Sequence, residues 1–170
     1  MKNILLIFFL TTLASCALFS PNPNRESILS TAPVELKPFT TDYCSDWPNG
    51  TSDDPYKWGN CCFTHDLHYW IGGTESERKD ADKELKACVK NAGAKSEAFI
   101  MYIGVRMGGR PGDASYSWGY GWTVKRDYQK MDTSDLEKAK NLLNTSEYLQ
   151  KENTQALVKK FIDDVLNKKN

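Results

Sequence analysis

The 170-residue chain has no excess of either charge: 22 Lys and Arg stand against 22 Asp and Glu. Without a basic surplus, nothing in the composition would draw the protein to nucleic acid or to an anionic lipid surface. No apolar run approaches the roughly 20 residues that a membrane-spanning helix needs. No internal repeat is visible, which argues against a solenoid. Histidine is scarce, with two copies, and cysteine is limited to five. Hydrophobic residues make up 40% of the chain, enough for a modest core in one compact domain with appended helices.

The N-terminus reads as a targeting segment. Lys2 precedes the apolar run Ile4 to Leu10, and small residues lead to Cys16. Leu13-Ala14-Ser15-Cys16 resembles the lipobox of bacterial lipoproteins, which implies a signal peptide over 1–15 and acylation, including palmitate, at Cys16. Its removal takes away only Lys2, leaving 21 basic against 22 acidic residues. Several acyl chains would hold a protein stably at a bilayer, where one chain would not. Ala17 follows the cysteine instead of an acidic residue, which points to the outer membrane of the cell envelope if the source is Gram-negative.

Residues 16–41 carry Pro21, Pro23, Pro33 and Pro38 among polar residues and read as an extended, flexible tether. A globular domain is expected over 42–126 and a helical extension over 127–170. Breakers at Pro48-Asn49-Gly50 and Asp53-Asp54-Pro55 make 42–60 turn-rich. Helices are expected at about Trp58 to Ile71, ending at Gly72-Gly73, and from a Thr74/Glu77 capping box to about Lys90. Others follow at about Ser96 to Met107, Ser134 to Leu143 and Ser146 to Asn167. The fold class is therefore mainly α.

Both histidines lie in Cys61-Cys62-Phe63-Thr64-His65-Asp66-Leu67-His68-Tyr69. A helix places i and i+4 on one face, so Cys61, His65 and Tyr69 line up, with Cys62 and Asp66 on the adjacent stripe. With Cys16 taken by lipid, Cys44, Cys61, Cys62 and Cys88 remain, and in an exported protein four cysteines mean two disulfides with three connectivities. Helical neighbours do not bond to each other, so Cys61 and Cys62 must reach different partners. The competing reading is a zinc site of Cys61, Cys62, His65 and His68, which an oxidising envelope disfavours.

These residues resemble the phospholipase A2 superfamily, whose active-site helix reads Cys-Cys-x-x-His-Asp-x-Cys-Tyr. The match holds at Cys61, Cys62, His65, Asp66 and Tyr69, and Ala81-Asp82 with Cys88 falls in the register of the family's second helix. His68 and Ala81 stand where the family has two cysteines bonded to one another, so that disulfide is missing as a pair. The resemblance covers roughly residues 42 to 122 and is closest to a reduced bacterial branch. It implies a disulfide-linked antiparallel two-helix core, with bridges Cys44–Cys62 and Cys61–Cys88. It also implies Ca²⁺-dependent hydrolysis of a phospholipid acyl ester, a lipid-degrading activity at a membrane. His65 would be the base acting on water, Asp82 its orienter and Tyr69 a support for Asp82. Asp66 would be the carboxylate ligand, with carbonyls of Tyr43, Ser45 and Trp47 completing the calcium site. The loop Tyr43-Cys44-Ser45-Asp46-Trp47-Pro48 lacks the family's glycines, and Asp46, Asp53 or Asp54 are substitute ligands. The alternative is a phospholipase-fold lipoprotein that binds lipid or a protein partner without turnover.

Two further stretches stand out. Tyr116, Trp118, Tyr120 and Trp122 alternate with small residues, which in an extended segment puts four aromatic rings on one side. They would either dock at the headgroup layer or cover the helical core. Arg106 and Arg110 just before them are candidate phosphate contacts. In the C-terminal region Leu157, Val158, Phe161, Ile162 and Val165 form an apolar stripe for the domain or a protein partner.

Overall fold

The computed structural model describes residues 33–112 and 115–168; the signal peptide, Cys16 and most of the expected tether lie outside them. Among the described residues there are five α-helices and no strand: α1 (Gly59–Ile71), α2 (Glu75–Asn91), α3 (Lys95–Gly108), α4 (Thr133–Asn144) and α5 (Glu152–Phe161).

Helix α1 is the axis of the fold. Ten of its thirteen residues are buried, so it is covered on nearly every side. Its end is set by Gly72, whose φ of 77° suits glycine and whose N–H closes on His68 O. Two residues later Thr74 and Glu77 form a reciprocal capping box that starts α2. The turn folds α2 back along α1, and Cys61 bonds Cys88, His65 meets Asp82, and Tyr69 meets Arg78. Numbers rising on one helix while falling on the other mark an antiparallel pair. The second disulfide, Cys44–Cys62, ties the preceding loop to α1. These are the pairings the resemblance implies. They leave no free thiolate at Cys61 or Cys62, which removes the zinc reading.

One face of α1, with Phe63, Leu67, Trp70 and Ile71, packs against Leu136, Leu143, Val158 and Phe161 from α4, α5 and their neighbours. On the other side the disulfides, Leu85, Val89, Ala98 and Met101 form a second cluster with α2 and α3. The C-terminal apolar stripe is thus used inside the domain: Val158 and Phe161 are buried against α1, with Leu157, Ile162 and Val165 packed beside them. That face is not left open for a partner.

Two expectations need correction. The segment 146–167 is not one helix: a 3₁₀ turn at Glu147–Leu149 precedes α5, and a π-turn at Ile162–Leu166 follows it. The break lets Tyr148 turn inward onto Phe39 and Phe63, while the Thr154 hydroxyl donates to Tyr148 O. Residues 33–41 are not tether. Leu36 bridges Trp122, Lys37 N–H donates to Gly121 O, and Leu36 and Phe39 are buried. The Trp70 indole fixes Lys37 O as well. The prolines are compatible with this because an extended strap needs few of its own N–H donors.

Replacing Cys61 and Cys88 together by serine should cost about 3 kcal/mol of unfolding free energy, since the bridge closes a long loop. Urea unfolding of the double variant against the unmodified protein measures it.

Candidate active site

The antiparallel register of α1 and α2 brings His65, Tyr69 and Asp82 together. Asp82 is fully buried, and its Oδ1 lies 2.9 Å from His65 Nε2 and accepts the Tyr69 hydroxyl at 2.7 Å. The imidazole and phenol rings lie 4.1 Å apart between centroids. With Nε2 on the carboxylate, Nδ1 is the nitrogen left to act elsewhere. Burial alone would raise the Asp82 carboxyl. Hydrogen bonds from His65, Arg106 and Tyr69 outweigh that and hold it below the usual carboxylate range. Burial and the adjacent Asp82 push the Tyr69 phenol up, so it remains a donor.

Two arginines complete this cluster: Arg106, expected as a phosphate contact, and Arg78, which the sequence did not single out. Arg106, from α3, donates to Asp82 Oδ2 at 2.6 Å. Arg78, 1% exposed, donates to the Tyr69 hydroxyl at 3.2 Å and to Val105 O at 3.0 Å. Arg106 is therefore engaged with Asp82 instead of reaching for a phosphate, and Arg110 is exposed. Arg78 sits four residues before Asp82 on one helix, a spacing that could have flagged it. Nothing local links Arg106 to a residue 24 positions away.

His65, Asp66 and Tyr69 line a cavity of about 490 Å³ whose other walls come from the 43–47 loop, from α3, from Leu85 of α2 and from residues 115–117. Asp82 is not in the lining; it stands behind the imidazole. The α3 wall is apolar, with Ile100, Met101, Gly104 and Val105. Beyond it Phe99, Ile103 and Met107 are exposed, Met107 by 75%.

Calcium can be tested against these residues. Burial pushes the Asp66 carboxyl well above the usual range; the Thr41 hydroxyl, donating at 2.6 Å, opposes the rise and nearby Asp42 adds to it. Tyr43, Ser45, Asp46 and Trp47 border the same cavity. Tyr43 and Ser45 hold left-handed backbone, φ 64° and 51°, and their loop is pinned by Tyr43 N–H to Thr41 Oγ1 and Cys44 N–H to Asn49 Oδ1. Among the described residues no three His, Cys, Asp or Glu side chains gather around a metal position. Two carboxylates, Asp66 and Asp46, line the cavity, and oxygen donors suit a hard cation and not zinc. The residues that would hold calcium, Asp66, Tyr43, Ser45 and Trp47, all border this one cavity.

In the aromatic stretch 116–122 the two tryptophans cover the helical core, while Tyr116 and Tyr120 are half-buried. Trp118 and Trp122 are 3% and 5% exposed. The segment serves the C-terminus of α1, where the last carbonyls of a helix lack partners. Gly119 N–H donates to Tyr69 O, Gly121 N–H to Trp70 O, and the Trp122 indole to Ile71 O, while the Trp118 indole takes Gly73 O. Such contact requires glycine: a Cβ on Gly121 would come within 2.3 Å of the Trp70 ring. Trp118 in turn stands edge-on to the Tyr69 ring at 5.0 Å.

No protein-family model, curated protein or solved structure matches this chain.

Because its folded-state pKa is raised, Asp66 adds stability below the unfolded value of about 3.9 and loses it as pH rises through the folded value. Asp66→Asn should therefore melt above the unmodified protein at pH 7 in chelator, with the advantage vanishing in acid. Any rise in melting temperature that Ca²⁺ gives the unmodified protein should disappear in the variant. Calorimetry at both pH values, with and without Ca²⁺, reads both effects.

Proposed function

We propose that the protein is a phospholipase A2-like hydrolase that cleaves a phospholipid acyl ester, anchored by lipid at Cys16 in a bacterial envelope. The observation that carries this reading is the His65–Asp82–Tyr69 cluster opening onto a cavity shared with Asp66 and an apolar helix wall. Two antiparallel helices joined by Cys61–Cys88 supply the frame that the superfamily resemblance implies.

In this reading His65 Nδ1 accepts a proton from a water as the water oxygen adds to the ester carbonyl carbon. Asp82 holds the proton on Nε2 and stabilises the imidazolium that forms. Collapse of the tetrahedral adduct breaks the bond to the alcohol oxygen, which takes the proton back from Nδ1. The products are a fatty acid and a lysophospholipid. Calcium, when bound by Asp66 and the loop oxygens, supplies positive charge for the developing oxyanion. Tyr69 keeps Asp82 in place. Ile100, Met101 and Gly104 offer an apolar wall to an acyl chain, and the exposed Phe99, Ile103 and Met107 continue that surface outward.

The glycine-poor loop favours the second reading, a phospholipase-fold lipoprotein that binds lipid without turnover. Fatty-acid release by the full chain from phosphatidylcholine–detergent micelles separates the two. His65→Gln should lower the rate by roughly 10²–10⁴-fold, and chelation should abolish it, with recovery on added Ca²⁺. Absence of fatty acid at saturating Ca²⁺ would leave the binding reading in its place.

A further inference from the structure

A fully buried carboxylate with four donors around it is more than an orienting histidine partner requires. Asp82 Oδ1 already receives His65 Nε2 and the Tyr69 hydroxyl. Its second oxygen faces Arg106 Nη1 at 2.6 Å and Arg78 Nη1 at 3.7 Å. Two neutral donors on Oδ1 leave the charge and lone pairs of Oδ2 to be met in a dry interior, and leave the carboxylate plane free to tilt away from the imidazole. A guanidinium on Oδ2 meets that charge and holds the plane from its other end, because charge-assisted hydrogen bonds are the stronger kind.

We infer that Arg106 is a positioning residue of the site: by engaging Asp82 Oδ2 it commits Oδ1 to His65, fixing the proton on Nε2 and leaving the Nδ1 lone pair for the cavity. As a claim about turnover this rests on the hydrolase reading; as a claim about the imidazole it does not.

Three observations set Arg106 apart from an incidental ion pair. It reaches Asp82 from α3, a third helix, so the carboxylate is fixed from a direction that α1 and α2 do not supply. Its own backbone is held where the side chain begins: Arg78 donates to Val105 O at 3.0 Å and to Arg106 O at 3.5 Å. Arg78 is itself buried and grips the Tyr69 hydroxyl, so both oxygens of Asp82 are referred to the same internal guanidinium. The close approach of α3 needs Gly109, where a Cβ would lie 2.5 Å from the Tyr69 hydroxyl. The arrangement holds the carboxylate plane by both of its oxygens, with Oδ1 toward the imidazole.

The chain has two histidines, so imidazole ¹⁵N spectra of the full-length protein are simple, and His68→Gln assigns them. The unmodified protein should show neutral His65 with its proton on Nε2; a proton on Nδ1 overturns the inference without any variant. Arg106→Met should give a mixture of the two tautomers, and Arg106→Lys should restore the Nε2–H form. Arg106→Met that folds and keeps the wild-type tautomer overturns the proposal, as an ion pair serving only helix packing would behave that way. In the micelle assay Arg106→Met should lose roughly tenfold or more in kcat with little change in KM, and Arg106→Lys should recover most of it. The spectra need no substrate. An inactive protein with the expected tautomers sinks the hydrolase reading and leaves the positioning role, whereas turnover with an unresponsive tautomer sinks the positioning role alone.

Discussion

Burying the Asp82 carboxylate is the constraint around which the molecule is arranged. An ionised carboxylate taken out of water is costly unless its lone pairs are met by donors and its charge is countered. Asp82 meets that condition with hydrogen bonds from His65 and Tyr69 of α1 and Arg106 of α3, while Arg78 on its own helix adds counter-charge 3.7 Å away. Each donor has its own requirement. Tyr69 needs Gly109 to pass close by and Trp118 to stand against its ring. Arg78 needs the carbonyls at the end of α3. The first disulfide fixes the register of α1 on α2, so that the donors and the acid arrive at one level.

A second requirement follows from the burial of α1. A helix enclosed along most of its length cannot leave its final carbonyls to water. Residues 117–122 meet them, and because that segment is itself fastened to 35–37, the strap across the N-terminal side becomes part of the core. The site cavity lies against the 43–47 loop and α3, and the start of the same closing segment, Tyr116 and Ser117, borders it.

Much of this was legible in the chain, for local reasons. The ends of α1, α2, α3 and α4 lie within a residue or two of where Gly72-Gly73, the Thr74/Glu77 box, Gly108 and Ser134 put them. The closeness of His65, Tyr69 and Asp82 followed from helical spacing together with a family pattern. What escaped was non-local. Four prolines made the segment before Asp42 look like linker, although Leu36 and Phe39 are core residues whose ring and bridge partners lie between Phe63 and Tyr148. Alternating aromatics looked like a strand face, because nothing in 116–122 says that its glycines exist to touch the end of α1. Arg106 looked like a surface cation for the same reason.

The tryptophans carry a consequence for how a fold with so few helices stays closed. Trp58, Trp70, Trp118 and Trp122 are all buried, and each indole N–H grips a main-chain oxygen, at Pro48, Lys37, Gly73 and Ile71. Each is a rivet whose carbon faces fill the interior while its nitrogen fastens a loop that no ladder of strands would otherwise secure. Phenylalanine would replace the bulk and remove the donor, orphaning the oxygens of Pro48, Lys37 and Ile71 and leaving Gly73 O with the Gln129 N–H alone. Where a larger protein would add another layer of helices to cover its loops, this one does so with a handful of indoles, and its shape is correspondingly intolerant of exchange at those four positions.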